Sequence, residues 1–260
     1  MSHADPAPLT DAELLDAALT AARTDGTDQS DVRWSFVRAL HRRPEKTIFE
    51  RAASWCTNPD VVERTLGADV LAQLGSAPGG GSRPFAAESA AILSGLLRDR
   101  EERVIMSALY ALGHLSAGDP SGIAPLSKHP SSGVRHAVAY ALGGRADELS
   151  IRVLIDLSND VDKEVRDWAT FGLGSLSEVD TPELREALIS RLSDEDAEVR
   201  GEALIGLAKR GDRRAISPVI TALKSGTVDS LTLEAAEELI RAYPRDHELR
   251  EAFATRRSAE

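Results

Sequence analysis

Few residues in this sequence have the types and spacing that catalysis or metal binding requires. No His-Glu-x-x-His sequence, nucleophile elbow or paired Cys or His spacing occurs. His114 and His136 could suggest a metal pair, but the helical pattern described below offsets them by eight residues, roughly 12 Å along the helix axes, which is too far to share an ion. Packing or groove polarity is favoured for both residues. We therefore expect no metal, no cofactor and no enzymatic activity.

Three other features could suggest a chemical role, but a purely structural role is favoured for each. The glycines at 79–81 suggest a phosphate loop, but no strand precedes them and no Gly-Lys-Ser/Thr follows, which favours a linker. Cys56 is the single cysteine, so an intramolecular disulfide is impossible, and on a predicted helix a buried small hydrophobe is favoured over a reactive thiol. The acidic run 194–196 lies in a predicted turn, where solvated charge is common.

Composition favours an all-α protein that does not bind nucleic acid. The chain is 42% hydrophobic but only 4% aromatic, which suits close helix packing by Leu, Ile, Val and Ala. A net charge of -11 opposes general affinity for phosphate backbones and favours a basic partner. The N-terminal residues lack the basic start and apolar run of a secretory signal, and no stretch approaches about 18 apolar residues. We expect a cytoplasmic protein that does not enter membranes.

A ten-residue pattern recurs along the chain. Its close copies are VIMSALYALG (104–113), VRHAVAYALG (134–143), VRDWATFGLG (165–174) and VRGEALIGLA (199–208). Looser copies begin at Val32, Glu63 and Leu231, which gives seven anchors separated by 31, 41, 30, 31, 34 and 32 residues. With the anchor counted as zero, the apolar positions 0, 4, 7 and 8 lie in one stripe of a helix. We call this helix the B helix of each repeat.

A second amphipathic segment precedes each copy, such as the one containing Ile151, Leu154 and Ile155. We call it the A helix. Several A helices are predicted to open with proline at the first helical position, where the missing N–H costs nothing; these prolines are Pro44, Pro84, Pro120 and Pro182. The repeated unit is therefore a helix, a tight turn and a second helix.

These features resemble the HEAT-like repeats, in the short form first associated with phycobilisome lyases, and the resemblance covers about residues 9–243. Its most specific marks are Val-Arg pairs that open B helices (Val32-Arg33, Val134-Arg135, Val165-Arg166, Val199-Arg200) and an Asp five residues before the anchor (Asp99, Asp160, Asp194). The resemblance implies a right-handed α-solenoid of about seven helical pairs with an Arg–Asp ladder between repeats. Other residues replace the Arg (Ile105, Thr232) or the Asp (Thr27, Asn58, His129, Gly226), which predicts a ladder incomplete at both ends and in the middle.

We expect residues 1–260 to form a single HEAT-like repeat domain. Because a solenoid buries each repeat only against its neighbours, its ends need polar caps. A capping helix within 9–31 and a C-terminal cap at 245–260 fit that role. The one long spacing predicts a flexible insertion at 76–84.

The side of each B helix opposite its apolar stripe, at positions 2 and 6, is expected to line a concave groove. Ordinary copies of the repeat have Arg, Glu or Lys there, but position 6 is aromatic in three successive central repeats. Exposed apolar surface of this kind commonly marks a partner site. The predicted groove residues are Trp34, Met106, Tyr110, His136, Tyr140, Asp167, Trp168 and Phe171. The alternative is that these rings fill gaps between neighbouring B helices, which is favoured for Trp168.

Non-catalytic protein binding is the favoured function, with a chain that is monomeric when free. The segments 63–75, 165–174 and 198–228 resemble small bacterial HEAT-repeat proteins, some of which are immunity partners of Rhs-type toxins. An acidic groove with central aromatic residues would suit a basic toxin domain. A scaffold of a regulatory complex is the alternative that the sequence leaves open. A bilin lyase subunit is disfavoured, as is a HEAT-like DNA glycosylase, which would need a basic groove.

Overall fold

A computed structural model of the chain describes residues 9–24, 31–76, 83–225 and 228–258. These residues form α-helices and no strand. The helices are α1 (Asp11–Thr24), α2 (Asp31–His41), α3 (Lys46–Trp55), α4 (Val61–Leu71), α5 (Ala86–Leu96), α6 (Glu102–His114), α7 (Pro120–Ile123), α8 (Ser132–Leu142), α9 (Glu148–Leu157), α10 (Lys163–Phe171), α11 (Pro182–Arg191), α12 (Ala197–Lys209), α13 (Ile216–Lys224), α14 (Ser230–Ala242) and α15 (His247–Arg257). The expected all-α class is confirmed.

The helices divide into two compact units, residues 1–123 and residues 124–260, here called unit 1 and unit 2. In unit 1, α3 pairs with α4 and α5 with α6, while α2, α4 and α6 contact one another in order. In unit 2, α9 pairs with α10, α11 with α12 and α13 with α14, and α8, α10, α12 and α14 form a second consecutive row. The seven predicted anchors all lie in even-numbered helices, so the assignment of B helices is confirmed. The expectation of one domain over 1–260 stays a prediction.

The apolar stripe is buried as the pattern predicts in the four close copies. Their anchors, Val104, Val134, Val165 and Val199, are fully buried. The first copy is an exception, because Val32 is 57% exposed and the buried residues of α2 are Arg33, Val37, Leu40 and His41. The predicted register of this copy is therefore wrong by one residue. Arg33, read as a ladder arginine, occupies the buried anchor position instead.

An Arg–Asp ladder joins consecutive repeats within each unit. In unit 2, Arg135 donates to Asp160 at 2.7 Å and Arg166 donates to Asp194 at 3.0 Å. In unit 1, Arg64 donates to Asp99 at 2.7 Å. The second terminal nitrogen of each of these arginines donates to two carbonyls of the turn that precedes its own helix. Each guanidinium therefore fixes its own turn and binds the next repeat.

The ladder carboxylates also shape the turns in which they lie. Asp194, for example, accepts the backbone N–H of Asp196 at 3.0 Å, and Asp160 accepts that of Asp162 at 2.9 Å. Burial alone would raise the pKa of Asp194, but hydrogen bonds from Arg166 and the backbone outweigh it and hold this pKa below its ordinary value. Asp194 therefore contributes stability to the ladder at neutral pH, and this contribution is lost as the pH falls below the ordinary value of 3.8 and through the lowered pKa of the folded state.

Proline positions account for one irregular A helix. Pro120 and Pro182 are the first residues of α7 and α11, as predicted, whereas Pro44 and Pro84 lie before the helices that follow them. In the fourth repeat the A segment is a single α-turn, α7, followed by a 3₁₀ turn at Ala124–Lys128. Pro125 lacks the N–H that an α-helix would need at this point, so the segment continues in the tighter form.

The predicted ends and insertion are described only in part. Helix α1 lies within the expected N-terminal cap at 9–31, and α15 lies within the expected C-terminal cap at 245–260. Residues 77–82 of the expected insertion lie outside the described residues, as do Thr27 and Gly226. Cys56 follows α3 and is buried, and this burial raises the pKa of its thiol to about 12. The interpretation of Cys56 as a small buried side chain is confirmed.

The ladder predicts a large stability loss when one of its carboxylates is removed. Arg166 and Asp194 have side chains only 8% and 4% exposed. Asp194→Ala leaves Arg166 without its ladder carboxylate, so the free energy of unfolding should fall by about 3 to 5 kcal/mol. Urea unfolding followed by circular dichroism measures this change. The control is Glu50→Ala, which removes an exposed pair with Lys46 and should cost less than about 0.5 kcal/mol. Equal losses in the two variants would contradict a stabilising ladder.

Candidate functional site

Four of the predicted groove residues form one aromatic cluster in unit 2. The Trp168 ring of α10 lies at its centre, 5.4 Å from the His136 ring and 5.1 Å from the Tyr140 ring of α8. The Phe171 ring, one turn further along α10, lies 5.5 Å from Trp168 in an edge-to-face arrangement. All four side chains are half-buried. Ring separations in this range are the favourable ones for aromatic pairs.

Local sequence explains why α8 and α10 present these rings together. The opposite sides of both helices are buried through Val134, Ala137, Val165 and Ala169. The C-terminal ends of the two helices approach closely at glycine residues. A Cβ added to Gly172 would lie only 3.3 Å from the Gly143 Cα. This approach brings position 3 of α10 against positions 2 and 6 of α8. Trp168 therefore packs between the two helices, as the alternative interpretation favoured, while remaining partly accessible.

The residue that precedes Trp168 in the sequence, Asp167, has a buried carboxylate oxygen. This oxygen, Oδ1, has no hydrogen-bond partner. Burial raises the pKa of Asp167 to about 6, with further increases from the nearby charges of Glu202, Glu198, Asp196 and Glu164. An acid with such a pKa costs stability when it is ionised at neutral pH. We call His136, Tyr140, Asp167, Trp168 and Phe171 the aromatic–carboxylate surface.

Burial favours the neutral form of the histidine of this surface, and carboxylates lie nearby. Burial lowers the pKa of His136, and the charges of Glu164 and Asp162 offset this only in part. Burial also raises the pKa of the Tyr140 hydroxyl. On α12, burial raises the pKa of Glu202, whose carboxylate accepts a hydrogen bond of 2.7 Å from Ser175. The surface therefore combines neutral rings with a group of carboxylates.

A π-helical turn follows the aromatic residues of α10, and the sequence pattern did not predict it. Residues Gly172–Leu176 form this turn, which leaves several carbonyls outside the regular hydrogen-bond pattern. The Arg210 guanidinium satisfies them, since it donates to backbone carbonyls at 2.7 to 3.1 Å; the acceptors belong to Leu173, Gly174, Ser177, Val179 and Gly206. Arg210 is thus a positioning residue for the end of α10. The short Lys-Arg-Gly-Asp sequence at 209–212, where α12 ends, was the only local signal of it.

The other three predicted residues lie in unit 1 and line a separate cavity. Trp34, Met106 and Tyr110 are half-buried and contribute to a cavity of about 340 Å³. Charged and polar side chains complete its lining, among them Arg33, His41, Asp69, Arg103 and His114. The predicted groove residues therefore form two groups, one in each unit.

The lining of this cavity includes a buried ion pair that the sequence did not reveal. Arg33 donates to Asp69 at 2.9 Å, and both side chains are less than one tenth exposed. The Nε2–H of His41 donates to the Asp69 carbonyl at 2.8 Å, and burial lowers the pKa of this histidine to about 4. Asp69 and Ile205 occupy position 6 of α4 and α12, which we expected to face the groove. Both are buried, so that expectation is wrong at these two positions.

Among the described residues, no group of three or more His, Cys, Asp and Glu side chains is arranged to hold a metal ion. The same residues contain no helix that is both long enough and apolar enough to span a membrane.

Comparisons with known proteins agree with the repeat structure. A family model of HEAT repeats matches residues 90–174 and residues 151–240. Protein YibA of Escherichia coli (strain K12) is 30% identical over 217 residues, which cover 80% of this chain and 75% of YibA. The protein of the same name from Escherichia coli O157:H7 matches to the same extent.

Solved structures show the same architecture. The X-ray structure of Escherichia coli YibA has a TM-score of 0.69 at 25% identity and covers 96% of this chain and 93% of YibA. An engineered protein has a TM-score of 0.57 at 21% identity, covering 93% of this chain and 77% of its own. The complex of CpcE and CpcF of phycocyanin lyase from Nostoc sp. PCC7120 has a TM-score of 0.51 at 16% identity, over 100% and 98% of the two chains. This last likeness concerns the fold alone. The expected α-solenoid class of HEAT-like repeats is confirmed.

The raised pKa of Asp167 predicts a pH-dependent gain from its removal. Its folded pKa of about 6 lies above the ordinary value of 3.8, so ionisation of Asp167 destabilises the fold above pH 6 and ceases to do so below pH 4. Asp167→Asn should therefore raise the melting temperature at about pH 7.5 and raise it much less at about pH 4.5. The control is Asp156→Asn, which changes an exposed carboxylate on α9. An equal shift for Asp167→Asn at both pH values would contradict the assignment.

Proposed function

Because the chain belongs to the HEAT-repeat family, we propose that it is a non-catalytic protein-binding repeat protein whose partner docks on the aromatic–carboxylate surface. The observation that supports this most directly is the cluster of Trp168 with Tyr140, Phe171 and His136, all half-buried, in a chain with 4% aromatic residues. Partly accessible aromatic side chains that are already held in place form effective anchors, because little side-chain entropy is lost when a partner covers them.

Packing alone is a poor account of this cluster. The apolar core side of α8 and α10 already carries Val134, Val138, Val165 and Ala169, all of which are fully buried. Asp167 adds to this argument, since an unpartnered buried carboxylate oxygen lowers stability and is commonly retained for function.

At a finer level, we propose that the partner is a basic toxin domain and that the chain acts as its immunity protein in the bacterial cytoplasm. The net charge of -11 supports a basic partner, since charge complementarity speeds association. The second support is the resemblance of segments 63–75, 165–174 and 198–228 to small bacterial HEAT-repeat proteins, some of which are immunity partners of Rhs-type toxins. A scaffold within a regulatory complex would use the same surface, and the genes neighbouring this one distinguish the two: a large Rhs-type toxin gene immediately upstream supports immunity.

The proposal predicts that two ring removals weaken partner binding without unfolding the chain. Tyr140→Ala and Phe171→Ala should each weaken binding by about 2 kcal/mol or more. Both should keep the melting temperature within a few degrees of the wild type. The measurement is calorimetric titration with the partner recovered by pull-down, run beside thermal melts.

The matched control is Phe49→Ala, which removes a half-buried ring that stacks on Phe85 at 4.7 Å in unit 1. It should leave partner binding unchanged. A stably folded Tyr140→Ala/Phe171→Ala double variant that binds with full affinity would refute the proposed surface.

A further inference from the structure

We propose that the aromatic–carboxylate surface recognises a basic side chain of the partner, most favourably that of arginine. This inference rests on the proposed function and specifies the chemistry of the partner. It is carried by two independent features of unit 2, the arrangement of the rings and the arrangement of the carboxylates.

The rings provide a site for a cation. Trp168 has the largest π-face among the side chains and binds cations best, and it remains partly accessible at the centre of the cluster. His136 and Phe171 both meet Trp168 edge to face, at interplanar angles of 77° and 89°. The rings around Trp168 therefore stand steeply inclined to its plane. A flat guanidinium matches such a site better than an ammonium, because it can stack on a ring while its edges donate hydrogen bonds.

The carboxylates make this site negatively charged. Asp167 has an unpartnered buried Oδ1, and the charges that act on it belong to Glu164 on its own helix, to Glu198 and Glu202 on α12, and to Asp196 before α12. The nearby lysines neutralise only part of this charge. Lys163 lies 3.4 Å from Glu164 and 3.6 Å from Asp196, and Lys209 acts on Glu202. An incoming cation would therefore relieve mutual repulsion between carboxylates as well as contact the rings.

The same arrangement disfavours other side chains. An acidic side chain would meet several carboxylates of like charge, and an apolar side chain would leave the Asp167 carboxylate oxygen buried without a partner. A guanidinium supplies five N–H donors, which is enough for Asp167 and for a second carboxylate on α12.

The test uses peptides of defined chemistry with the full chain. One peptide contains four Gly-Arg pairs, and its match contains four Gly-citrulline pairs, which keep the shape and most donors but not the charge. Affinity is measured by calorimetric titration at low salt, against the wild type, Asp167→Asn and Glu183→Gln. Glu183 is an exposed carboxylate on α11, so its substitution removes one charge from unit 2 away from the surface.

We expect the arginine peptide to bind the wild type and the citrulline peptide to bind at least about ten times more weakly, a difference of roughly 1.4 kcal/mol. Asp167→Asn should weaken the arginine peptide by a similar factor, while Glu183→Gln should change it less than about twofold. Equal weakening by the two variants would show general attraction to an acidic chain and overturn the inference. Absence of binding by the arginine peptide, or equal binding of the citrulline peptide, would also overturn it.

The inference and the proposed function fail in different ways. If the natural partner loses affinity for Tyr140→Ala but not for Asp167→Asn, the docking surface stands and the basic side chain is wrong. If the peptide results hold but the natural partner is insensitive to Tyr140→Ala, the surface binds cations without being the docking site.

Discussion

The structure depends on one repeated interaction, the guanidinium that joins two turns at once. In Arg64, Arg135 and Arg166, one terminal nitrogen holds the carbonyls of the preceding turn, and the other side of the guanidinium binds the aspartate of the next repeat. A planar fork of donors suits this role, and a lysine could not perform it. Because the contact sets the position of each B helix relative to the next, it also fixes which residues of neighbouring helices meet.

The functional surface follows from this geometry. With α8 and α10 held side by side, their glycines allow a close approach and Trp168 reaches His136 and Tyr140. The stability of the fold comes from the stripe on the other side of each helix, so the exposed side is free to carry residues that do not stabilise it. Asp167 is the clearest case, since its ionised form costs stability at neutral pH. In this account, the buried stripe stabilises the fold, and the exposed surface carries residues that lower stability but serve binding, as is common at functional sites.

The repeat could be predicted from the sequence because its signals are local and recur at nearly fixed spacing. Apolar periodicity and the Val-Arg pairs located the B helices, and the aspartates before them located the ladder. The register of α2 was missed because its buried positions hold Arg33 and His41, whose burial depends on Asp69, 36 and 28 residues further along the chain. The π-helical turn after α10 was missed for a similar reason, since the residue that supports it, Arg210, lies just after α12 and 36 residues beyond Gly174. The sequence pattern could assign Trp168 to one face of its helix. Its contacts with α8 could not be predicted, because they depend on the distance between the two helices.

The central claim is that a protein partner covers the rings of α8 and α10, and photocrosslinking in the native host cell tests it most directly. A photoreactive phenylalanine analogue is placed at Phe171 in one strain and at Thr221, an exposed position on α13, in another. The account predicts that the analogue at 171 captures one discrete protein partner, identified by mass spectrometry, and that the analogue at 221 does not. Capture of the same partner from position 221 but not from position 171 would contradict it.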